Sequence, residues 1–176
     1  MRTYVGRNLG TFIELMIFSA NKLIWVCSPK ISPKFASRLV DQARKGVDVK
    51  VITSNYENQD SVEVIKRAFK PNKIDEVITK ADLLRPKLDY VILKGNAALR
   101  PKLRMYLIDG KFAIIGSLDL TESDLYENIG YVIILDDSRD VEKIMEDFIA
   151  LWGLYLTLGD EMVEYTRSFP RGASLI

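Results

Sequence analysis

The stretch from residue 23 to residue 51 leaves little choice of fold. Residues 23–28 (Leu-Ile-Trp-Val-Cys-Ser) form an apolar run of strand length, suited to burial on both faces. Ser32-Pro33 is a helix N-cap and first-turn pair, and it opens a helix to Lys45 that Gly46 ends. Val47, Val49 and Val51 then alternate with Asp48 and Lys50 as a second strand. Strand, helix and strand in so short a span imply a right-handed crossover and a parallel pair. The pattern continues with a helix capped by Asp60 or Ser61 and ending before Pro71, then a strand at 88–94 closed by the turn residues Gly95-Asn96. Residues 74–84 have helical character. The expected fold class is α/β, a mixed, largely parallel sheet flanked by helices on both faces.

The outer segments fit the same plan. Thr11-Phe12-Ile13-Glu14 has capping-box spacing, and Phe12, Leu15 and Met16 follow at a helical period. Residues 131–135 read as a strand. Ser138 is placed to cap a long helix whose apolar stripe is Val141, Ile144, Met145, Phe148, Ile149 and Trp152. A chain of 176 residues suits one domain, expected at 1–158, with 159–176 as a loosely attached tail.

Composition removes whole classes of chemistry. The chain contains no histidine, which excludes a histidine triad, a histidine general acid or base and a histidine-containing zinc site within it. Cys27, the single cysteine, precludes an internal disulfide and lies in an apolar run as a small buried hydrophobe. The apolar stretch 12–27 is broken by Glu14, Asn21 and Lys22, so neither a membrane span nor a signal peptide is expected, and the cytoplasm is the expected compartment. No cofactor is expected. The net charge of +1 hides an asymmetry: residues 1–111 carry 21 Lys and Arg against 11 Asp and Glu, whereas residues 112–176 carry 4 against 13. Either one face meets anions or two solvated surfaces of opposite sign segregate along the sequence. Lys66, Arg67, Lys70 and Lys73 form a basic run read as a solvated helix face before a nucleic-acid patch. Asp136, Asp137 and Asp140 read as an acidic loop capping the last helix before they read as a metal site.

The segment 102–121 carries the chemistry. Asp109-Gly110 between two β-rich runs is a two-residue hairpin turn. Such a loop would pair 104 with 115 and 102 with 117, setting Lys102, Arg104, Ser117 and Asp119 on one face and Leu103, Met105, Leu107, Phe112, Ile114 and Gly116 on the other. A single bulge would change that register. Two cations beside a hydroxyl, with a glycine allowing close approach, make an oxyanion pocket; a solvated strand face with scattered charges is the plainer alternative.

In this segment the chain resembles the phospholipase D superfamily. That family's motif is His-x-Lys-x4-Asp-x6-Gly-Ser-x-Asn, and here Lys102-x-Arg104-x4-Asp109-x6-Gly116-Ser117-x-Asp119 keeps every spacing. Leu120-Thr121 and Asn128 ahead of a strand continue the likeness, although Gly130 stands where the family often has glutamate. The first strand, the Ser-Pro loop, the following helix and strand, and Phe148 and Trp152 on the closing helix extend it over roughly residues 10–155. The resemblance implies a phospholipase D-like fold. It also implies a site in which one histidine attacks phosphorus, a second copy's histidine protonates the leaving group, and Lys and Asn hold phosphate oxygens.

The departures from that motif decide the functional expectation. Lys102 stands in the nucleophile's place, Arg104 in the phosphate lysine's and Asp119 in the asparagine's. An ordinary lysine amine is protonated and a poor nucleophile at neutral pH. Arginine keeps the charge and can fork onto phosphate. Asp119 opposes anion binding unless Lys102 or Arg104 pairs with it, and a closed ion-pair cluster is the competing reading. With one motif per chain, a complete family-like site requires a homodimer. The expectation is a catalytically inactive domain that binds phosphodiester groups of DNA or RNA as a homodimer, without inserting into a membrane, through Lys102, Arg104, Ser117, Asp119 and Asn128. Lys102, Arg104 and Asp109 mark the ancestral catalytic motif. Two alternatives stand: a divergent phosphodiesterase using Lys102, and a scaffold or regulatory domain whose site has closed.

Overall fold

The computed structural model describes residues 1–69, 86–95 and 100–166. The expected helix at 74–84, Lys70 and Lys73 lie outside the described residues. Within them the chain runs β1 (Arg2–Gly6), α1 (Gly10–Phe18), β2 (Leu23–Cys27), α2 (Pro33–Arg44), β3 (Asp48–Ser54), α3 (Gln59–Arg67), β4 (Leu88–Leu93), β5 (Arg104–Ile108), β6 (Phe112–Gly116), a five-residue π turn (Ser123–Glu127), β7 (Gly130–Leu135), α4 (Ser138–Leu156) and β8 (Val163–Tyr165). The strands form one sheet in the order β1-β7-β6-β5-β2-β3-β4-β8.

The sheet is mixed, with helices on both faces. Alternate strand residues point to opposite sides, and this divides the core in two. Ile24, Val26, Val49, Val51, Tyr106, Ile108 and Ile114 pack against Ile13 and Ile17 of α1, Phe35 and Leu39 of α2 and Ile65 of α3. Trp25, Cys27, Ile52, Met105, Leu107 and Ala113 pack against Val141, Phe148 and Trp152 of α4. Among the named strands parallel pairing is confined to β2–β3 and β3–β4, and one isolated parallel bridge joins Ile31 to Leu120. β5, β6 and β7 follow as an antiparallel meander, and β1 and β8 close the edges antiparallel. The parallel share is smaller than the sequence pattern implied, because β5, β6 and β7 join β2 as an antiparallel run and both edge strands add to it.

Several local expectations need correction. Residues 159–166 are not a loose tail: β8 pairs with β4, and Thr166 accepts the Tyr90 amide at 3.0 Å, while 167–176 lie outside the described residues. Thr11 does not cap α1; Leu9 occupies the N-cap, and the Thr11 hydroxyl turns back to Asn8. Ser32 and Pro33 begin α2 as expected, but the Ser32 hydroxyl makes no capping hydrogen bond. Asn58, not Asp60 or Ser61, holds the N-cap position of α3, and its side chain makes no capping hydrogen bond. α4 is capped by Asp137, whose carboxylate accepts the Arg139 and Asp140 amides, and Asp136 pairs with Arg2 at 3.2 Å. The acidic loop is thus a cap and an edge clamp. Lys66 and Arg67 are also engaged, with Glu164 at 2.5 Å and Glu63 at 2.9 Å.

Candidate functional site

The hairpin register is one residue off the expected one. Asp109 (φ 55°) and Gly110 (φ 65°) make the tight turn, and the Lys111 amide donates to Ile108 O at 2.9 Å. Lys111 is then extra, so Ile108 pairs with Phe112 and Arg104 with Gly116. Asp109 explains the bulge. Its carboxylate accepts the amides of Asn21 (3.0 Å), Lys22 (2.7 Å) and Leu23 (3.1 Å), tying the turn to the start of β2. Partial burial would raise the Asp109 pKa, but these N–H groups outweigh it and hold the carboxyl below the usual range.

The corrected register redistributes the motif. Arg104 shares its face with Tyr106, Ile114 and Gly116, and Ser117 points to the α4 side. The group that approaches Gly116 is not an anion but β7: a Cβ there would sit 2.1 Å from the Tyr131 carbonyl oxygen. The Ser117 hydroxyl accepts the Tyr131 amide at 3.1 Å. Asp109 lies at the far end of β5, roughly 16 Å along the strand from Arg104.

Arg104 and Asp119 do meet, at the carboxyl end of β2. Arg104 Nε lies 3.0 Å from Asp119 Oδ1 and Nη2 lies 3.3 Å from Oδ2, a two-pronged ion pair. The Asp119 side chain is only 10% exposed, against 27% for Arg104. Ser28, fully buried, completes the cluster. Its Oγ lies 2.6 Å from Lys30 O and 3.2 Å from Asp119 Oδ1, and it accepts the Leu120 amide at 3.1 Å. The Asp119 amide donates to Asp124 at 2.8 Å, and Asn128 donates its side-chain amide to the same carboxylate at 2.7 Å. Asn128 therefore reaches Asp119 only through Asp124. Below them Tyr106 donates to Leu118 O at 2.7 Å. Burial pushes the Tyr106 phenol far above its ordinary pKa and the Cys27 thiol to about 12, so neither is a nucleophile at neutral pH.

Ser28, Tyr106 and Asp124 are the members sequence reasoning passed over. Ser28 had a signal, as the one polar residue closing an apolar strand; Asp124 had none. Lys102 stays at the rim, exposed, and only its carbonyl joins the cluster, accepting from Arg104 Nη1 at 3.3 Å. A phosphate arriving here would meet an arginine already neutralised by Asp119 and the further negative charge of Asp124. The site as built is a closed polar cluster around the Arg104–Asp119 pair.

A mixed sheet with helices on both faces, holding Arg104, Gly116, Ser117 and Asp119 of the spaced motif at the carboxyl end of its parallel strands and Asp109 at the other, defines a phospholipase D-type domain. The chain belongs to the phospholipase D superfamily: residues 13–152 match the family described as cardiolipin synthase, PLD-like domain. No curated protein matches the chain. Among solved structures it is similar to Nuc from Salmonella typhimurium, a phospholipase D family member, at 16% identity and a TM-score of 0.60, over 95% of this chain and 99% of that one. NucT from Helicobacter pylori is similar at 15% identity and a TM-score of 0.57, over 85% and 92%. TrmBL2, an archaeal chromatin protein with a novel mode of DNA binding, is similar at 17% identity and a TM-score of 0.52, over 86% of this chain but 52% of that one. At these identities the likeness is one of fold. Among the described residues no helix is long and apolar enough to cross a membrane.

Proposed function

We propose that the chain is a catalytically inactive phospholipase D-like domain that binds the phosphodiester backbone of nucleic acid as a homodimer. The observation that carries the reading is the Arg104–Asp119 pair, which fills the phosphate position of a motif whose nucleophile is replaced by Lys102. Phosphoryl transfer by the family route needs a base that attacks and a second that protonates, and this chain holds no histidine for either role. Binding in this reading draws on surface cations of the amino-terminal 111 residues rather than on the old pocket. The similarity of fold to Nuc, NucT and a DNA-binding chromatin protein supports nucleic acid as the ligand.

The dimer has a surface suited to it. Across β5, β6, β7 and β1 the register aligns Leu103, Ser117, Tyr131 and Val5 in one row on the α4 side. Leu103, Tyr131, Val5 and neighbouring Ile129 are 44%, 46%, 73% and 70% exposed, beyond the reach of α4. The test of the reading is a pair of measurements on the purified chain: labelled DNA and RNA binding across a salt series, and hydrolysis of DNA, RNA and a phosphodiester analogue. Steeply salt-dependent, sequence-indifferent binding without hydrolysis is expected. Turnover abolished by Lys102→Ala would replace the reading with a lysine-based phosphodiesterase. Absence of binding at low salt would leave a scaffold with a closed site, the alternative that the Arg104–Asp119 pair also favours.

A further inference from the structure

Cations at the two ends of the sheet differ in how far they are engaged. At the carboxyl end of the parallel strands they are engaged. Lys30 pairs with Glu57 at 2.6 Å, Arg104 with Asp119, Lys94 donates to Asp160 O at 2.8 Å, and Arg100 lies 5.0 Å over the Tyr56 ring. Lys102 and Arg7, which follows β1 at this end, are the exceptions among the described residues.

At the amino end the loops entering β2, β3 and β4, and the β5–β6 turn, each bring up a lysine: Lys22, Lys45, Lys87 and Lys111, all exposed. The backbone fixes their order. Lys22 O accepts the Asp48 amide at 2.9 Å, Lys87 O accepts the Val49 amide at 2.8 Å, and the Asp109 amide donates to Leu23 O at 3.0 Å. Within the described residues none of the four ammonium groups has an ion-pair partner. Most carboxylates at this end are committed elsewhere: Asp109 to three backbone amides, Asp48 to Lys50 (2.8 Å) and Trp25 Nε1 (2.9 Å), Asp41 to Arg44 (3.7 Å), Asp136 to Arg2 (3.2 Å) and Asp137 to the cap of α4, with Asp140 following in the first turn of α4.

The geometry points to this amino-end lysine row as the nucleic-acid contact surface, on the opposite end of the sheet from the degenerate motif. The inference rests on the reading above that the domain binds phosphodiester polymers. Strands lie about 4.8 Å apart, so β5 to β4 spans roughly 14 Å. At 3.4 Å of rise per phosphate along one strand of a duplex, that covers about four phosphates. Lysine is a compact, freely rotating point charge, suited to tracking a backbone rather than reading bases. Of the exposed large apolar side chains only Met1, beside β1 at the sheet's edge, lies at this end; Val5, Leu103, Ile129 and Tyr131 lie toward the other. A lipid surface would draw on such groups beside the cations, so a hydrated polyanion fits this end better.

The experiment uses the full chain, a labelled mixed-sequence duplex and a labelled single strand, in titrations over a salt series. One variant carries Lys22→Gln, Lys45→Gln, Lys87→Gln and Lys111→Gln; a second carries Lys102→Gln. The four sites are exposed, and coincident thermal melts establish that the variants fold. The four-lysine variant should lose at least about a hundredfold in affinity, with its log–log salt slope shallower by roughly four, one per lost phosphate contact. Lys102→Gln should lose no more than a single contact's share, about threefold, with at most one unit of slope. Four-lysine binding equal to wild type, with Lys102→Gln defective, overturns the inference and returns the contact to the carboxyl end. Wild type that binds neither nucleic acid fails the reading beneath it instead. Wild type that binds phosphatidylserine vesicles but no nucleic acid overturns both.

Discussion

The Arg104–Asp119 pair makes an asymmetric prediction that can be worked from its burial. Removing one member of a buried ion pair costs about 3–5 kcal/mol, because the other charge is left uncompensated. The two members here are not equally buried, with 10% of the Asp119 side chain exposed and 27% of Arg104. Arg104→Ala strands the more buried carboxylate with only the Ser28 hydroxyl and should cost about 2–4 kcal/mol after discounting for water access through the arginine's side. Asp119→Ala leaves a guanidinium that keeps its bond to Lys102 O and can turn toward water, so about 1–2 kcal/mol is expected. The double variant should cost less than the sum by about 1–2 kcal/mol, since neither charge is then orphaned. Urea denaturation of all four proteins at neutral pH measures the cycle. Single costs that add to within about 0.5 kcal/mol, or an Asp119→Ala cost equal to that of Arg104→Ala, would refute the closed cluster.

Asp109→Ala removes the acceptor of three amides at a positive-φ position and should cost about 2–4 kcal/mol in the same assay. The Asp109 carboxyl is depressed in the folded state, so its contribution is complete above the unfolded value near about pH 4 and fades as pH falls below that. Wild type should therefore lose stability in acid more steeply than Asp109→Asn, as urea midpoints between about pH 5 and 2 would show. Cys27, with its thiol pushed up to about 12 by burial, should resist a disulfide-exchange reagent in the native state and react at once in denaturant; rapid native labelling would contradict the packing of β2. Sedimentation at micromolar concentration should give a dimer that Tyr131→Glu dissociates while the monomer keeps its circular dichroism spectrum; a monomeric wild type would remove the dimer.

What could be read from the sequence followed from features that act locally. The β2–α2–β3 unit was legible because apolar runs, Ser32-Pro33 and Gly46 set strand, helix start and helix stop without help from distant residues. The meeting of Arg104 with Asp119 was legible for a subtler reason. Both lie at the open end of one hairpin, so a register error of one residue moves Ser117 to the other face but leaves the ends together. The bulge itself was not legible, because its cause is the clasp of Asp109 by amides 86–88 residues away in sequence. β1 and β8 escaped because edge strands need little apolar patterning: Arg-Thr-Tyr-Val-Gly and Val-Glu-Tyr are mostly exposed or half-buried and are ordered by ladders to β7 and β4. Lys50 looked like the exposed side of an alternating strand, yet it is buried, paired with Asp48 and Asp89 and lying 5.2 Å over the Trp25 ring.

The same reasoning explains why the fold tolerates an aspartate where the family has asparagine. The Asp119 carboxylate is buried and needs a counter-charge. Arg104 supplies that charge in a planar fork matching the carboxylate, which a lysine at the same place meets with a single point of contact. Residues 104 and 119 therefore fit as a pair, and either one restored alone to the family residue should leave the other badly placed. Asp119→Asn frees a guanidinium at the pocket floor, beside the exposed Lys102. That variant should be stabilised thermally by inorganic phosphate when wild type is not, because the anion then replaces the lost carboxylate. Equal stabilisation of the two proteins by phosphate would mean that the pocket is already open in wild type, or that phosphate acts elsewhere; a repeat in the Asp119→Asn, Arg104→Ala background separates these, since only binding at the pocket requires the guanidinium.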